Sequence, residues 1–148
     1  MPMYETLDAI ADSYNPLMFL LCLSVLVFTF VKAHYKKFLI YCAGFGIGFL
    51  VVYGFRFADH RYQIWQTAGL DYSTHTAVAL NLVVFAVLFS SLRFQILAIV
   101  SFIAYLCLML YQGYHTVMDI FSTTAIVLPL ILAVLLSAQK LASAQSKR

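Results

Sequence analysis

The chain has 148 residues, of which 64% are hydrophobic and only 10% are charged, and its formal net charge is +3. A soluble domain carries roughly 25% charged residues, because water must hydrate its surface. The composition therefore excludes an ordinary soluble domain and indicates a single-domain integral membrane protein, in which lipid surrounds most of the surface.

The first predicted element is a short amphipathic helix. Residues 3–14 place apolar side chains on one helical stripe and three carboxylates mostly off it, as expected of a helix lying in the membrane interface. Asn15-Pro16 is expected to end this helix, because Pro16 suits the first turn of a following one.

Five apolar runs follow, and each is predicted to cross the membrane as a helix. The predicted spans are 16–31, 38–55, 74–92, 96–111 and 116–136, followed by a polar basic tail over 137–148. The predicted fold class is an all-α polytopic membrane bundle of about five transmembrane helices. Gly44 and Gly48 form a Gly-x-x-x-Gly pair, which favours close approach of another helix of the same chain.

The basic residues predict how this bundle is oriented. Five spans bring segment 32–37, the turn at Arg93 and the tail to one side, and these regions hold seven of the nine Lys and Arg residues. The positive-inside rule places that side in the cytoplasm and the N-terminus outside. We expect a multi-pass protein of a bacterial inner membrane, with the C-terminus in the cytoplasm. Since topology explains the basic residues, they indicate no nucleic-acid partner.

Two titratable residues mark the start of the fifth span. His115 and Asp119 are four residues apart, so on a helix they would share one face within hydrogen-bonding reach. An Asp that holds one His nitrogen raises the basicity of the other, which suits a nucleophilic or basic His. A His and an Asp solvated at a helix end are the alternative interpretation.

The third span opens with Ser73-Thr74-His75. Ser73 or Thr74 suits the N-cap, and the free N–H groups of a helix start can bind an anion such as phosphate. His75, one turn or less beyond that site, could protonate a leaving oxygen. The predicted topology places this motif and the His115 motif at the same, outer, face.

The two motifs together resemble those of the type 2 phosphatidic acid phosphatase superfamily. These membrane enzymes have a Ser-x-His motif that opens one span and a His-x-x-x-Asp motif two span ends later. Residues 71–76 are also similar to the sphingomyelin synthase branch, which transfers a phospho-headgroup between lipids. The resemblance, over roughly residues 50–125, implies an enzyme that acts on a lipid phosphate or phospholipid in the membrane without a metal ion or other cofactor.

The resemblance also implies a role for each matching residue. His115 would be the nucleophile that forms a phosphohistidine, and Asp119 would orient it. His75 would protonate the leaving group. Ser73, together with Thr74 and the helix start, would hold the phosphate.

The chain departs from the family at its cationic positions. The family's Arg six residues before the nucleophile is Met109 here. A further motif of the family, which precedes these two, ends in Arg-Pro and has a Lys seven residues before that Arg. If Arg61-Tyr62 takes the place of Arg-Pro, the Lys position is Gly54. The candidates for phosphate contact that this face still offers are Arg56, His60 and Arg61.

Two alternatives belong to other functional classes. The missing cations favour a non-catalytic lipid-binding or assembly subunit on the same scaffold. His75 and His115 could instead be the two axial ligands of a haem held between helices.

Overall fold

The computed structural model describes the backbone of residues 2–145 and the side chains of residues 4–145. Over this range the chain is an α-helical bundle with no strand, which confirms the predicted all-α fold. The five α-helices are α1 (Pro2–Val31), α2 (Tyr35–Tyr62), α3 (Thr74–Phe89), α4 (Leu92–Tyr111) and α5 (Val117–Gln145). A short 3-10 helix, Gln66–Ala68, lies in the connection between α2 and α3. Among the described residues, α1, α2, α4 and α5 are long and apolar enough to cross a membrane.

Helix α3 is the centre of the bundle. It packs against each of the other four α-helices, and ten of its 16 residues are buried. At 1.5 Å per residue it is about 24 Å long, shorter than a hydrocarbon core of about 30 Å. The predicted span 74–92 ends early because Ser90 has extended backbone, and α4 then begins at Leu92 instead of 96.

Helix α1 is continuous through Pro16, so the prediction of a separate interfacial helix ending at Asn15-Pro16 is wrong. Proline removes one intrahelical hydrogen bond, the one to the carbonyl of Asp12, but side chains on both sides of it pack in the bundle. Before it, Tyr14 stacks on Tyr105 of α4 with ring centroids 4.2 Å apart. After it, the thiol of Cys22 donates to the carbonyl of Leu82 in α3 at 3.3 Å. Tertiary packing therefore outweighs the local helix-ending signal.

Helix α5 also extends further than predicted. The expected polar tail is helical as far as Gln145, while residues 146–148 lie outside the described part of the chain. Ala138 and Ala142 are buried and continue the helix's apolar stripe. The Gln139 amide donates to the carbonyl of Leu88 at 2.9 Å. Small buried residues recurring at helical spacing thus keep this polar-looking segment against the bundle.

The glycine pair of α2 lies at contacts with other helices, as its spacing predicts. Gly44 lies against Ala138 of α5, so that a Cβ on Gly44 would be 2.9 Å from the Ala138 Cβ. Gly48 lies against the side-chain amide of Asn81 in α3. The predicted close approach of helices within the chain is confirmed at both positions.

Charge is sorted between the two ends of the bundle. One end, here called the carboxylate end, carries the α2–α3 and α4–α5 connections and the first half of α1. It holds all six acidic residues of the chain: Glu5, Asp8, Asp12, Asp59, Asp71 and Asp119. The opposite lysine end carries the α1–α2 and α3–α4 connections and the last turns of α5. Its described basic residues are Lys32, Lys36, Lys37, Arg93 and Lys140.

The α2–α3 connection is folded onto the carboxylate end. The Trp65 N–H donates to Asp59 Oδ1 at 2.8 Å, and its indole N–H donates to Ser122 Oγ of α5 at 3.0 Å. The Tyr72 hydroxyl donates to the carbonyl of Val52 at 2.9 Å. These buried anchors fix the segment that leads into α3 and thereby position the candidate site.

Candidate active-site cleft

Ser73 is the N-cap of α3, one of the two residues predicted for that position. Its hydroxyl oxygen accepts from the N–H of Thr76 at 3.3 Å and the hydroxyl donates to Thr76 Oγ1 at 2.7 Å. The Ser73 N–H donates to Thr123 Oγ1 of α5 at 3.1 Å. The Ser73 side chain is fully buried, and the neighbouring Thr74 hydroxyl is buried with no hydrogen-bond partner among the described residues. Ser73 therefore serves the helix start and lies beneath the surface of the site.

Asp119 is engaged in three hydrogen bonds at the start of α5. Its Oδ2 accepts from the N–H and the hydroxyl of Thr116, at 2.8 and 2.7 Å. Its Oδ1 accepts from the N–H of Asp71 at 2.8 Å. In return the Thr116 hydroxyl oxygen accepts from the Asp119 N–H at 3.2 Å, which completes a reciprocal cap. Asp119 thus fastens the α2–α3 connection to the first turn of α5.

The predicted hydrogen bond between Asp119 and His115 is wrong. The prediction assumed that the helix includes both residues, whereas α5 begins at Val117 and leaves His115 in the connection before it. Four-residue spacing brings side chains together only where the backbone is already helical. The carboxylate is occupied by Thr116 and Asp71, and His115 Nδ1 has no hydrogen-bond partner among the described residues.

The carboxylate nearest to the His115 ring nitrogen is that of Asp71. His115 Nδ1 lies 3.8 Å from Asp71 Oδ2, and the His115 side chain is 11% exposed while that of Asp71 is 60% exposed. Burial lowers the pKa of His115 below its ordinary value, and neighbouring His75 lowers it further, whereas Asp71 and Asp119 oppose the shift. The ring is therefore held mainly neutral, with a lone pair free on one nitrogen.

His75 and His115 meet in one cleft at the carboxylate end. The cleft has a volume of about 360 Å³ and lies between α1, the start of α3 and the α4–α5 connection. Its lining residues are Ala11, Asp12, His75, Met109, Tyr114 and His115. A volume of this size falls in the range of small-ligand sites. Two motifs that are distant in sequence thus contribute to a single concave surface.

Helix α1 supplies part of this cleft, which the sequence did not indicate. The Asn15 amide donates to the carbonyl of His75 at 3.3 Å and so ties α1 to the first turn of α3. Asp12 lines the cleft one turn earlier. No local pattern points to either residue, because both fall in the segment predicted to lie apart from the bundle. Asp71 and Tyr114 adjoin the two motifs, and that proximity is a signal that could have found them.

The three predicted phosphate contacts from α2 and its C-terminus do not reach the cleft. Arg56, His60 and Arg61 are all exposed, and none of them lines it. The Arg61 guanidinium lies over the ring of Tyr62, 5.8 Å from its centroid. The cleft lining, all of it within the described residues, contains no Lys or Arg.

The donor set is not that of a metal centre. Within residues 2–145, no group of three or more His, Cys, Asp or Glu side chains is arranged to hold a metal ion. What the cleft offers is a pair of imidazoles, a carboxylate and a phenol. Such groups can transfer protons and attack an electrophile.

No family model, curated protein or solved structure matches this chain. The resemblance to the type 2 phosphatidic acid phosphatases therefore stays a prediction from the two motifs.

Proposed function

We propose that the chain is a membrane phosphatase or phosphotransferase that acts on a lipid phosphate through a phosphohistidine intermediate. The observation that carries this proposal is that His75 and His115 line the same cleft at one end of an apolar helical bundle. Lipid headgroups lie at the ends of membrane-spanning helices, so a lipid phosphate would lie at the level of this cleft.

The proposed reaction has two steps. His115 attacks phosphorus, forming a P–N bond as the P–O bond to the leaving group breaks, while protonated His75 gives its proton to the leaving oxygen. Water or a second lipid alcohol then attacks the phosphohistidine. Its proton passes to His75, the P–N bond breaks, and both histidines return to their starting states.

The protonation state of His115 supports the role of nucleophile. An imidazolium has no lone pair with which to attack, and burial holds the pKa of His115 below its ordinary value of 6.5. At neutral pH the ring is mainly in its reactive form. His115 therefore does not have to lose a proton before it attacks phosphorus.

Asp71, not Asp119, is proposed as the carboxylate that orients His115. The 3.8 Å between His115 Nδ1 and Asp71 Oδ2 would need to shorten to about 2.8 Å to form a hydrogen bond. Asp71 is exposed, and its only hydrogen bond among the described residues is made by its backbone N–H, so its side chain has the freedom to make that movement. A proton held on Nδ1 leaves Nε2 as the attacking atom.

The second candidate is a non-catalytic lipid-binding or assembly subunit on the same scaffold. It is favoured by the absence of Lys and Arg from the cleft lining, since phosphoryl transfer ordinarily relies on cations that stabilise the developing charge. Asp12 in the lining makes the cleft less favourable still for an anion. On this account the two histidines would bind a ligand without transferring phosphate.

The orientation proposed from charge places the lysine end in the cytoplasm and the cleft on the outer side of a bacterial inner membrane. Fusions of alkaline phosphatase and a fluorescent protein to the C-terminus test this proposal. The fluorescent fusion is expected to be active and the phosphatase fusion inactive, whereas the reverse pattern would place the cleft in the cytoplasm.

A lipid panel separates the two candidate functions. Purified protein in detergent is incubated with phosphatidic acid, a polyprenyl phosphate, phosphatidylethanolamine and phosphatidylcholine, and released phosphate or headgroup is measured. Wild type is compared with His75→Ala, His115→Ala and the control His34→Ala, which alters a histidine at the opposite end. Catalysis predicts release that both cleft variants lose and the control keeps. Binding without release, weakened by the cleft variants and not by changes to residues outside the cleft, would establish the non-catalytic subunit.

A further inference from the structure

The lysine end has a concave site of its own, separate from the cleft. A pocket of about 360 Å³ lies at the junction of α1 and α2, next to the C-terminal end of α5. Its lining residues are Ala33, His34, Tyr35, Lys36, Lys37 and Gln145. We call it the lysine pocket. The proposed reaction uses none of these residues.

Among the described residues, no carboxylate neutralises the positive charge of this pocket. All six acidic side chains of the chain are at the carboxylate end, so none of them is available to Lys36 or Lys37. Neither lysine forms an ion pair or hydrogen bond among the described residues. Uncompensated cations at one place favour an anionic ligand.

Backbone donors add to the side-chain charge. His34 occupies the N-cap of α2 but its side chain makes no capping hydrogen bond. The first turn therefore keeps the N–H groups of Tyr35, Lys36 and Lys37 without a partner within residues 2–145, and the first N–H to be paired is that of Phe38. Free N–H groups and the positive end of a 28-residue helix both favour an anion, and here they open onto a lysine-lined pocket.

The surroundings of the pocket indicate a lipid as the source of that anion. It lies where α1 ends and α2 begins, which is the level of the headgroups for helices that cross a bilayer. Val31 and Leu39 next to it are 72% and 64% exposed, so apolar surface continues from the pocket along the helices. A soluble phosphate would contact the lysines but would not cover this apolar surface.

We propose that the lysine pocket binds the headgroup of an anionic phospholipid, with Lys36, Lys37 and the first turn of α2 contacting its phosphodiester. Phosphatidylglycerol meets this description, whereas zwitterionic phosphatidylcholine carries a cation that the two lysines repel. The site lies at the end of the bundle opposite to the cleft and does not depend on the proposed reaction.

Lipid titration followed by native mass spectrometry tests the proposal on the full chain in detergent. Short-chain phosphatidylglycerol, short-chain phosphatidylcholine and soluble glycerol phosphate are titrated separately, and apparent dissociation constants are compared. Lys36→Gln/Lys37→Gln removes two charges from the pocket, and the control Arg93→Gln/Lys140→Gln removes two charges from the same end outside it. Lys36→Arg/Lys37→Arg keeps the charge of the pocket. If this variant binds like wild type, changing both positions does not unfold the chain, and the loss in the Gln variant reflects the lost charge.

The expected result is tighter binding of phosphatidylglycerol than of phosphatidylcholine by wild type. The pocket variant should bind phosphatidylglycerol about 30-fold more weakly, as follows from two lysines near a membrane surface. The control and the Arg variant should stay close to wild type. Equal losses in pocket variant and control, no preference in wild type, or equally tight binding of soluble glycerol phosphate would each overturn the proposal. Since His115→Ala should keep the lipid preference, failure here is distinguishable from failure of the proposed reaction.

Discussion

The carboxylate of Asp119 accepts hydrogen bonds from both the N–H and the hydroxyl of Thr116, at 2.8 and 2.7 Å. These two residues close the first turn of α5 and, through the Asp71 N–H, hold the α2–α3 connection against it. The aspartate that the motif assigns to the nucleophile therefore holds the backbone of two connections in place. His115 is left with Asp71 as its nearest carboxylate partner.

This division of roles predicts different phenotypes for the two aspartates. Asp119→Ala removes three hydrogen bonds to a buried carboxylate and should lower the free energy of unfolding by about 2 kcal/mol or more. Asp71→Asn should leave stability nearly unchanged but lower the rate of headgroup release. The thermal midpoint and kcat of each variant in detergent check this, with exposed Met118→Ala as the control in the same turn. A stable but inactive Asp119→Ala would return the orienting role to Asp119.

Gly48 should be the least replaceable glycine of α2. A Cβ there would overlap the side-chain amide of Asn81, which is fully buried and cannot easily move away. Gly48→Ala is expected to destabilise the bundle by about 1–3 kcal/mol, whereas Gly46→Ala meets nothing within 4 Å and should be neutral or slightly stabilising. The thermal unfolding midpoints of both variants test this prediction. Partial recovery of stability in Gly48→Ala/Asn81→Ala would identify the overlap as the cause, and equal midpoints for the two single variants would contradict it.

Stability should depend on the titration of His115. Burial lowers its pKa in the folded chain below the ordinary value of 6.5, so in mildly acidic solution the unfolded chain binds a proton that the folded chain does not. The contribution is fully present above about pH 6.5 and is lost as the pH falls through the folded pKa. Unfolding midpoints from about pH 7.5 to about pH 5 should decline more steeply for wild type than for His115→Gln. Parallel pH profiles would show that His115 titrates normally.

Trp65, the only tryptophan, reports on the packing of the α2–α3 connection. Its ring is 3% exposed and donates to Ser122, so its fluorescence should be quenched weakly both by acrylamide and by brominated lipid. Ser122→Ala should shift the emission by removing the hydrogen bond while leaving the ring protected. Strong quenching by brominated lipid would mean that the ring faces the bilayer and that the connection does not fold onto the bundle.

Features set by local sequence were predictable. The apolar runs, the N-cap at Ser73 and the approach allowed by Gly44 and Gly48 depend on neighbouring residues or on one helix face, and the structure has them. In contrast, the continuity of α1 through Pro16 depends on contacts with α3 and α4 that no local signal reports.

The candidate site was likewise predictable only in part. The meeting of His75 with His115 follows from the helix order, because the ends that carry the two motifs fall on one side of the bundle. The partner of His115 does not follow, since it depends on α5 beginning at Val117 and not two residues earlier. Asp12 was missed because it reaches the cleft only once α1 is packed on the bundle.

Direct detection of the phosphohistidine tests the central claim that the two histidines form one phosphoryl-transfer site. Wild type, His75→Ala and His115→Ala are mixed with radiolabelled phosphatidic acid or phosphatidylcholine and quenched in alkali, and the labelled peptide is identified. We predict label on His115 in wild type and none in His115→Ala. Absence of label from wild type with both lipids, or headgroup release that persists in His115→Ala, would contradict the account.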